Sequence, residues 1–264
     1  MAFWILLGIL IFIHEFGHYL AARLCGVGIE IFSLGFGPRL TGTRIGLTDY
    51  RISLIPLGGY VKMVGDEPGR EVRPEFARLS FDNKPLWKKS LIVAAGPAFN
   101  FLLAAIIIFG ILFAQGIPVK NGDNELSYQK IGPIKSAFMA VVVTGKIVEQ
   151  QATDIVKMAA GKISVKEHLG GPVAIYKMSK RAAEEGLIAF FFLIALISIG
   201  LAIINLLPVP VLDGGHLLFF GIEAVKGGPI SLKTRHRAHI AGICILLALM
   251  IFVIFNDIAR RMPL

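Results

Sequence analysis

Charge is scarce in this 264-residue chain: Asp, Glu, Lys and Arg make up 17% of it, against 55% hydrophobic residues. Soluble domains carry about 25% charged and about 45–50% apolar residues. The polar surface is therefore too small to cover a water-soluble fold, and the composition points to a membrane protein. Cysteine is nearly absent. Cys25 and Cys244 lie far apart, each bordering an apolar segment, and cannot build a disulfide framework or a Cys-based metal centre. Both read as buried structural thiols. Acidic residues are the minority sign, with 18 Asp and Glu against 27 Lys and Arg and a net charge of +9. No stripe of interleaved basic and aromatic residues accompanies the excess, so no nucleic acid is expected as a partner. Anionic lipid and the positive-inside bias account for the charge. The apolar run Phe3–Ile13 has no basic n-region and no small-residue cleavage site, and reads as a retained transmembrane helix rather than a signal peptide.

What the chain has in quantity is long apolar runs. A spanning helix needs about 20 mainly apolar residues. Leu91–Phe113, Leu187–Leu207 and Ala238–Phe255 qualify, and Phe3–Leu24 qualifies if His14, Glu15, His18 and Arg23 are tolerated. The predicted fold is a mainly α, polytopic membrane protein of four transmembrane helices. Residues 1–115 form the N-terminal half of the membrane core, 116–168 an extracytoplasmic connection, and 169–264 the C-terminal half. Lys and Arg near the span ends set orientation. Arg39, Arg44, Arg73, Arg78, Lys84, Lys88 and Lys89 flank the first connection, and Lys226, Lys233, Arg235 and Arg237 lie in the third. Both connections are expected in the cytoplasm and both termini outside, although Arg260 and Arg261 follow the last span.

The connections have patterns of their own. Tyr50, Ile52 and Leu54 alternate with polar residues, and Ile29–Phe36 is a second β-like run. Gly35, Gly37, Pro38, Gly42 and Gly46 lie between the runs, so a small membrane-associated hairpin or sheet is expected, punctuated again at Gly58-Gly59. Asp66–Arg78, with Pro68 and Pro74, reads as a solvated loop. Ile134–Met158 carries apolar groups at helical spacing, as in an amphipathic helix lying on the membrane surface or one packed on the protein itself.

His14-Glu15-Phe16-Gly17-His18 is H-E-x-x-H. On a helix the two histidines lie one turn apart on one face, so both rings can reach one metal ion. Glu15 then stands beside that metal, placed to take a proton from bound water. Polar residues within a span are costly and mark a functional site by default. Catalytic zinc usually has three protein ligands, and the best third candidate is Asp213. Pro208 and Pro210 end the third span by forcing extended backbone, and Gly214-Gly215 after Asp213 permits a tight turn. Depth agrees. At 1.5 Å per residue, His14 and His18 lie roughly 17 and 23 Å along the helix from Phe3, past the middle of a core about 30 Å thick. The third span breaks near that same face. Other residues stay open. Asn100 is either a substrate contact or helix–helix glue. His216 reads as a solvated interfacial residue rather than a support for the site. His168, His236 and His239 carry no assigned chemistry. Tyr50–Ile55 is a candidate edge for pairing with an unwound substrate.

The sequence resembles the site-2 protease family of intramembrane zinc metalloproteases, and within it the bacterial regulator-of-sigma-E type. The resemblance rests on His14–His18, Phe32–Pro38, Pro56–Met63, Ala94–Phe101, Leu169–Ile175 and Asn205–Gly215. It implies one Zn2+ on His14, His18 and Asp213, Glu15 as the catalytic base, and Asn205 as a polar contact in the substrate cleft. It also implies single-pass transmembrane substrates in a bacterial inner membrane, such as anti-sigma factors already shortened outside or signal-peptide remnants. The active site would face the cytoplasm. Members of this type usually carry a PDZ region between the second and third spans, and Ile117–Lys166 leaves no room for one. A metal-ion transporter using the same His/Asp cluster is the main rival reading. It gives Glu15 no role and shows no paired repeats. A catalytically dead scaffold would have no need of the complete set.

Overall fold

A computed structural model describes residues 1–67, 72–120, 126–164 and 170–259. Pro68, residues 121–125, His168, Leu169, Arg260 and Arg261 lie outside the described residues. The elements are α1 (Ala2–Leu24), β1 (Ile29–Ile45), β2 (Thr48–Met63), a 3-10 helix (Pro74–Leu79) and α2 (Leu86–Gln115). They continue with β3 (Ile117–Lys120), β4 (Leu126–Gln129), α3 (Pro133–Ala159), α4 (Pro172–Glu185), α5 (Leu187–Asn205), α6 (Asp213–Lys226) and α7 (Leu232–Ala259). Among the described residues, four helices are long and apolar enough to cross a membrane: α1, α2, α5 and Leu232–Asp257 of α7. The polytopic, mainly helical expectation holds, with the small sheet beside it.

The chain divides into two units. The first is built from residues 3–99 and 204–249, with Met1. Its core joins Ala21, Ala22 and Cys25 at the end of α1 to Val27, Ile29, Met63, Ile92 and Ala95. In lipid there is no hydrophobic drive between helices, so small residues that permit close packing hold spans together. The sheet is more continuous than the sequence suggested. Glycines 35, 37 and 42 fall inside β1, and only Gly46-Leu47 turns the chain. Gly35, at φ 97°, lets β1 bend where a side chain would strike the carbonyls of Ser53 and Ile55 at 2.8 and 2.9 Å. Each long strand therefore contributes two segments. Thr41–Ile45 pairs with Thr48–Ile52, while Leu34 faces Ile52 on one side and Gly59 on the other. Tyr50–Ile52 has partners on both edges, which removes it as a free edge for substrate. The Asp66–Arg78 stretch is not wholly a solvated loop: Asp66 is partly buried and accepts the Met63 amide at 2.7 Å, and Pro74–Leu79 is a 3-10 helix.

The second unit comprises residues 100–203 and 250–264, with Ala2. Ala104 and Ile108 of α2, Ala140 of α3, and Ala195 and Ile199 of α5 form its core. Thus α3 packs one face on the protein, while Ile134, Phe138 and Val141 stay exposed. Asn100 is fully enclosed, and its backbone carbonyl accepts the Ser198 hydroxyl at 2.8 Å, a helix–helix contact. The end of α7 caps α4. The buried Asp257 carboxylate accepts the amides of Gly171 and Ala174, each at 3.3 Å. Of the two thiols, Cys25 is buried, but Cys244 is exposed on α7, contrary to expectation.

Candidate metal centre

Three side chains from two distant segments converge in the first unit. The α1 spacing stacks His14 and His18 with ring centroids 4.8 Å apart and ring planes nearly perpendicular. Their Nε2 atoms are 3.2 Å apart. Asp213 reaches them from the first turn of α6, with Oδ2 3.3 Å from His14 Nε2 and Oδ1 3.5 Å from His18 Nε2. The glycines behind Asp213 do not make the tight turn expected of them; they belong to the helix. Pro208–Leu212 folds over that helix start. A Cβ on Gly214 would overlap the Leu206 carbonyl, and one on Gly215 would overlap that of Val209.

Neighbouring backbone fixes the rings. His18 Nδ1 donates to the Ile92 carbonyl at 2.9 Å, which turns Nε2 toward His14 and Asp213. Gly96, one turn along α2, closes the space behind both rings. Asn205 at the end of α5 places its amide nitrogen 3.5 Å from His14 Nε2.

These residues fit a zinc ion. Two nitrogens bound to one tetrahedral zinc at about 2.05 Å are about 3.3 Å apart, close to the separations found here. Asp213 Oδ2 is buried and receives no hydrogen bond among the described residues, so the lone pairs meeting at this point call for a cation. All candidate ligand atoms lie within 4.8 Å of one another.

Glu15 points beside this cluster into a cavity of about 1250 Å³, which Tyr60, Val61, Asn205 and His216 also line. His216 is exposed to it, as expected of a solvated residue. The edge segment of β2 approaches this side chain: a Cβ on Gly59 would stand 3.0 Å from Glu15 Cγ. The sequence reading missed the contacts made by Gly96, Gly59 and the Ile92 carbonyl. Its only available signal was glycine placed inside otherwise regular helix and strand patterns. Asn100 does not line the cavity.

The chain is similar to known proteins along most of its length. The model of peptidase family M50 matches residues 2–249. A candidate zinc metalloprotease of Brucella suis is 31% identical over 358 residues, covering 97% of this chain and 94% of the relative. One of Mesorhizobium japonicum is 31% identical over 359 residues, covering 97% of each. One of Campylobacter jejuni is 32% identical over 343 residues, covering 97% of this chain and 92% of the relative. In the Brucella alignment about 100 of the 358 positions face no residue of this chain.

Proposed function

The chain belongs to peptidase family M50, and on that footing we propose that it hydrolyses peptide bonds in or near the transmembrane segment of single-pass membrane proteins. It is a zinc metalloprotease of the site-2 type. His14, His18 and Asp213 hold the zinc in this reading, Glu15 is the general base, and Asn205 contacts substrate. One observation carries it: Glu15 stands beside two converging imidazoles on an apolar span and lines a cavity of about 1250 Å³. The transport reading of the same three residues leaves Glu15 idle.

Bound zinc supplies Lewis acidity, polarising a carbonyl and lowering the pKa of a water. The Glu15 carboxylate accepts the proton of the attacking water and returns it to the departing amine nitrogen. The His18–Ile92 bond keeps the His18 ring from rotating as charge changes beside it. A substrate helix has to unwind first, because its carbonyls are already hydrogen-bonded. The outer segment Gly59–Met63 of β2 lines the cavity and offers backbone for pairing with the extended chain. Anti-sigma factors trimmed outside the membrane and signal-peptide remnants are the proposed substrates in a bacterial inner membrane.

The test is cleavage of a model single-pass substrate by the purified chain and its Glu15→Gln variant. Cleavage within the apolar segment is expected, and the variant keeps its zinc while losing about 100-fold or more in rate. Near-wild-type cleavage by the variant removes Glu15 as the base.

A further inference from the structure

We propose that the corner between α6 and α7 is a docking surface for anionic phospholipid headgroups. Asn205 ends one apolar span and Leu232 opens the next, so residues 206–231 turn at one face of the bilayer. Within that segment α6 has two unlike sides. Phe220 and Glu223 are buried. Phe220 packs on the Phe81 ring with centroids 6.4 Å apart, and Glu223 accepts the Ile230 amide at 2.8 Å and pairs with Arg235. The opposite side is a stripe of Leu218, Ile222 and Val225 at helical spacing, all exposed, Val225 by 92%. A helix with one apolar side uncovered at a membrane face lies in the interface, its stripe against the acyl boundary.

Cations at the end of α6 and the start of α7 select the lipid, Lys233 among them also lining the cavity beside Glu15. Lys226 ends α6, Gly227 (φ 75°) turns the chain, and Lys233 and Arg237 follow one turn apart on α7. All three cations are exposed, and among the described residues none enters an ion pair, whereas Glu223 neutralises Arg235 between them. Uncompensated ammonium and guanidinium groups next to an apolar stripe match a negatively charged headgroup above its acyl chains. Lipid held here also braces α6, whose first turn carries Asp213.

The experiment titrates the full chain in neutral detergent with phosphatidylglycerol or phosphatidylcholine and reads bound lipid by native mass spectrometry. Wild type is expected to prefer phosphatidylglycerol. Lys226→Gln/Arg237→Gln should weaken that binding about 25-fold, since each basic residue at an anionic surface contributes about fivefold. Phosphatidylcholine binding and the melting temperature should not move. Lys146→Gln/Lys157→Gln, at exposed positions of α3, should leave the preference intact. Equal phosphatidylglycerol binding by the corner variant, or an equal loss in the α3 variant, overturns the proposal. So does displacement of the lipid by inorganic phosphate, which would mark a simple anion site, or by a soluble acidic peptide, which would mark a protein partner.

Discussion

Gly96 on α2 lies directly against the His14 and His18 imidazoles: a methyl group in its place would stand 2.8 Å from His14 Cε1 and overlap His18 Nε2. The glycine is therefore part of the candidate centre, although it offers no ligand.

Gly96→Ala tests this. In an exposed helix the substitution would stabilise by about 1 kcal/mol through propensity alone. Here the methyl displaces two rings held by packing and by the Ile92 carbonyl. Helix content should be retained while bound zinc, measured by elemental analysis, falls below half of wild type. Full zinc occupancy in the variant would show that the rings move aside freely and that Gly96 is only a packing residue.

Asp213→Ala removes the one candidate ligand supplied by α6. Zinc affinity should fall by more than about 100-fold, beyond the 10–100-fold typical of losing a supporting residue. Asn205→Ala should instead leave zinc bound and reduce cleavage. Metal titration of both variants separates the roles, and unchanged zinc content in Asp213→Ala removes that residue from the ligand set.

The sequence made the centre legible because its chemistry is local. The two histidines share a face by spacing alone, and an acid before a broken span is conspicuous in an apolar chain. The four spans were legible for the same reason, to within a few residues at most ends. What escaped depends on contacts between distant segments. Gly35 and Gly42 looked like breaks because glycine is poor in strands, yet they bend β1 and keep it paired. Asp213 opens a helix without any side-chain cap, behind two prolines and ahead of two glycines, so local pattern argued for a turn. The α4 terminus is capped by Asp257, 86 residues away, which no local signal reveals.

Asp66 gives a pH-dependent prediction. Burial raises its carboxyl to about 6, ahead of the opposing hydrogen bond from the Met63 amide. An unfolded Asp ionises near 3.9, so between about 4 and 6 the folded chain holds a proton that the unfolded chain has released. Stability therefore falls as pH rises through that window. Asp66→Asn, which can still accept the Met63 amide, should raise the melting temperature at pH 7.5 and change it little at pH 4. A variant less stable than wild type at pH 7.5 would show that the ionised carboxylate is favourable in place.

Topology decides from which side water and substrate reach the centre. Basic residues flank the connection between α1 and α2 and the one between α5 and α7, so Lys226 is expected in the cytoplasm and Lys130, beyond α2, outside. On that orientation His18, roughly 23 Å along α1 from Phe3, lies nearer the cytoplasmic face, and water and substrate are expected to enter from there. Lys226→Cys and Lys130→Cys, each in a background lacking Cys25 and Cys244, can be treated with a membrane-impermeant thiol reagent on intact cells. Lys130→Cys should label at once, and Lys226→Cys only after the membrane is opened. The reverse pattern would turn the chain over and admit substrate from outside. His14, His18 and Asp213 would still meet, because their convergence does not depend on which way the spans face.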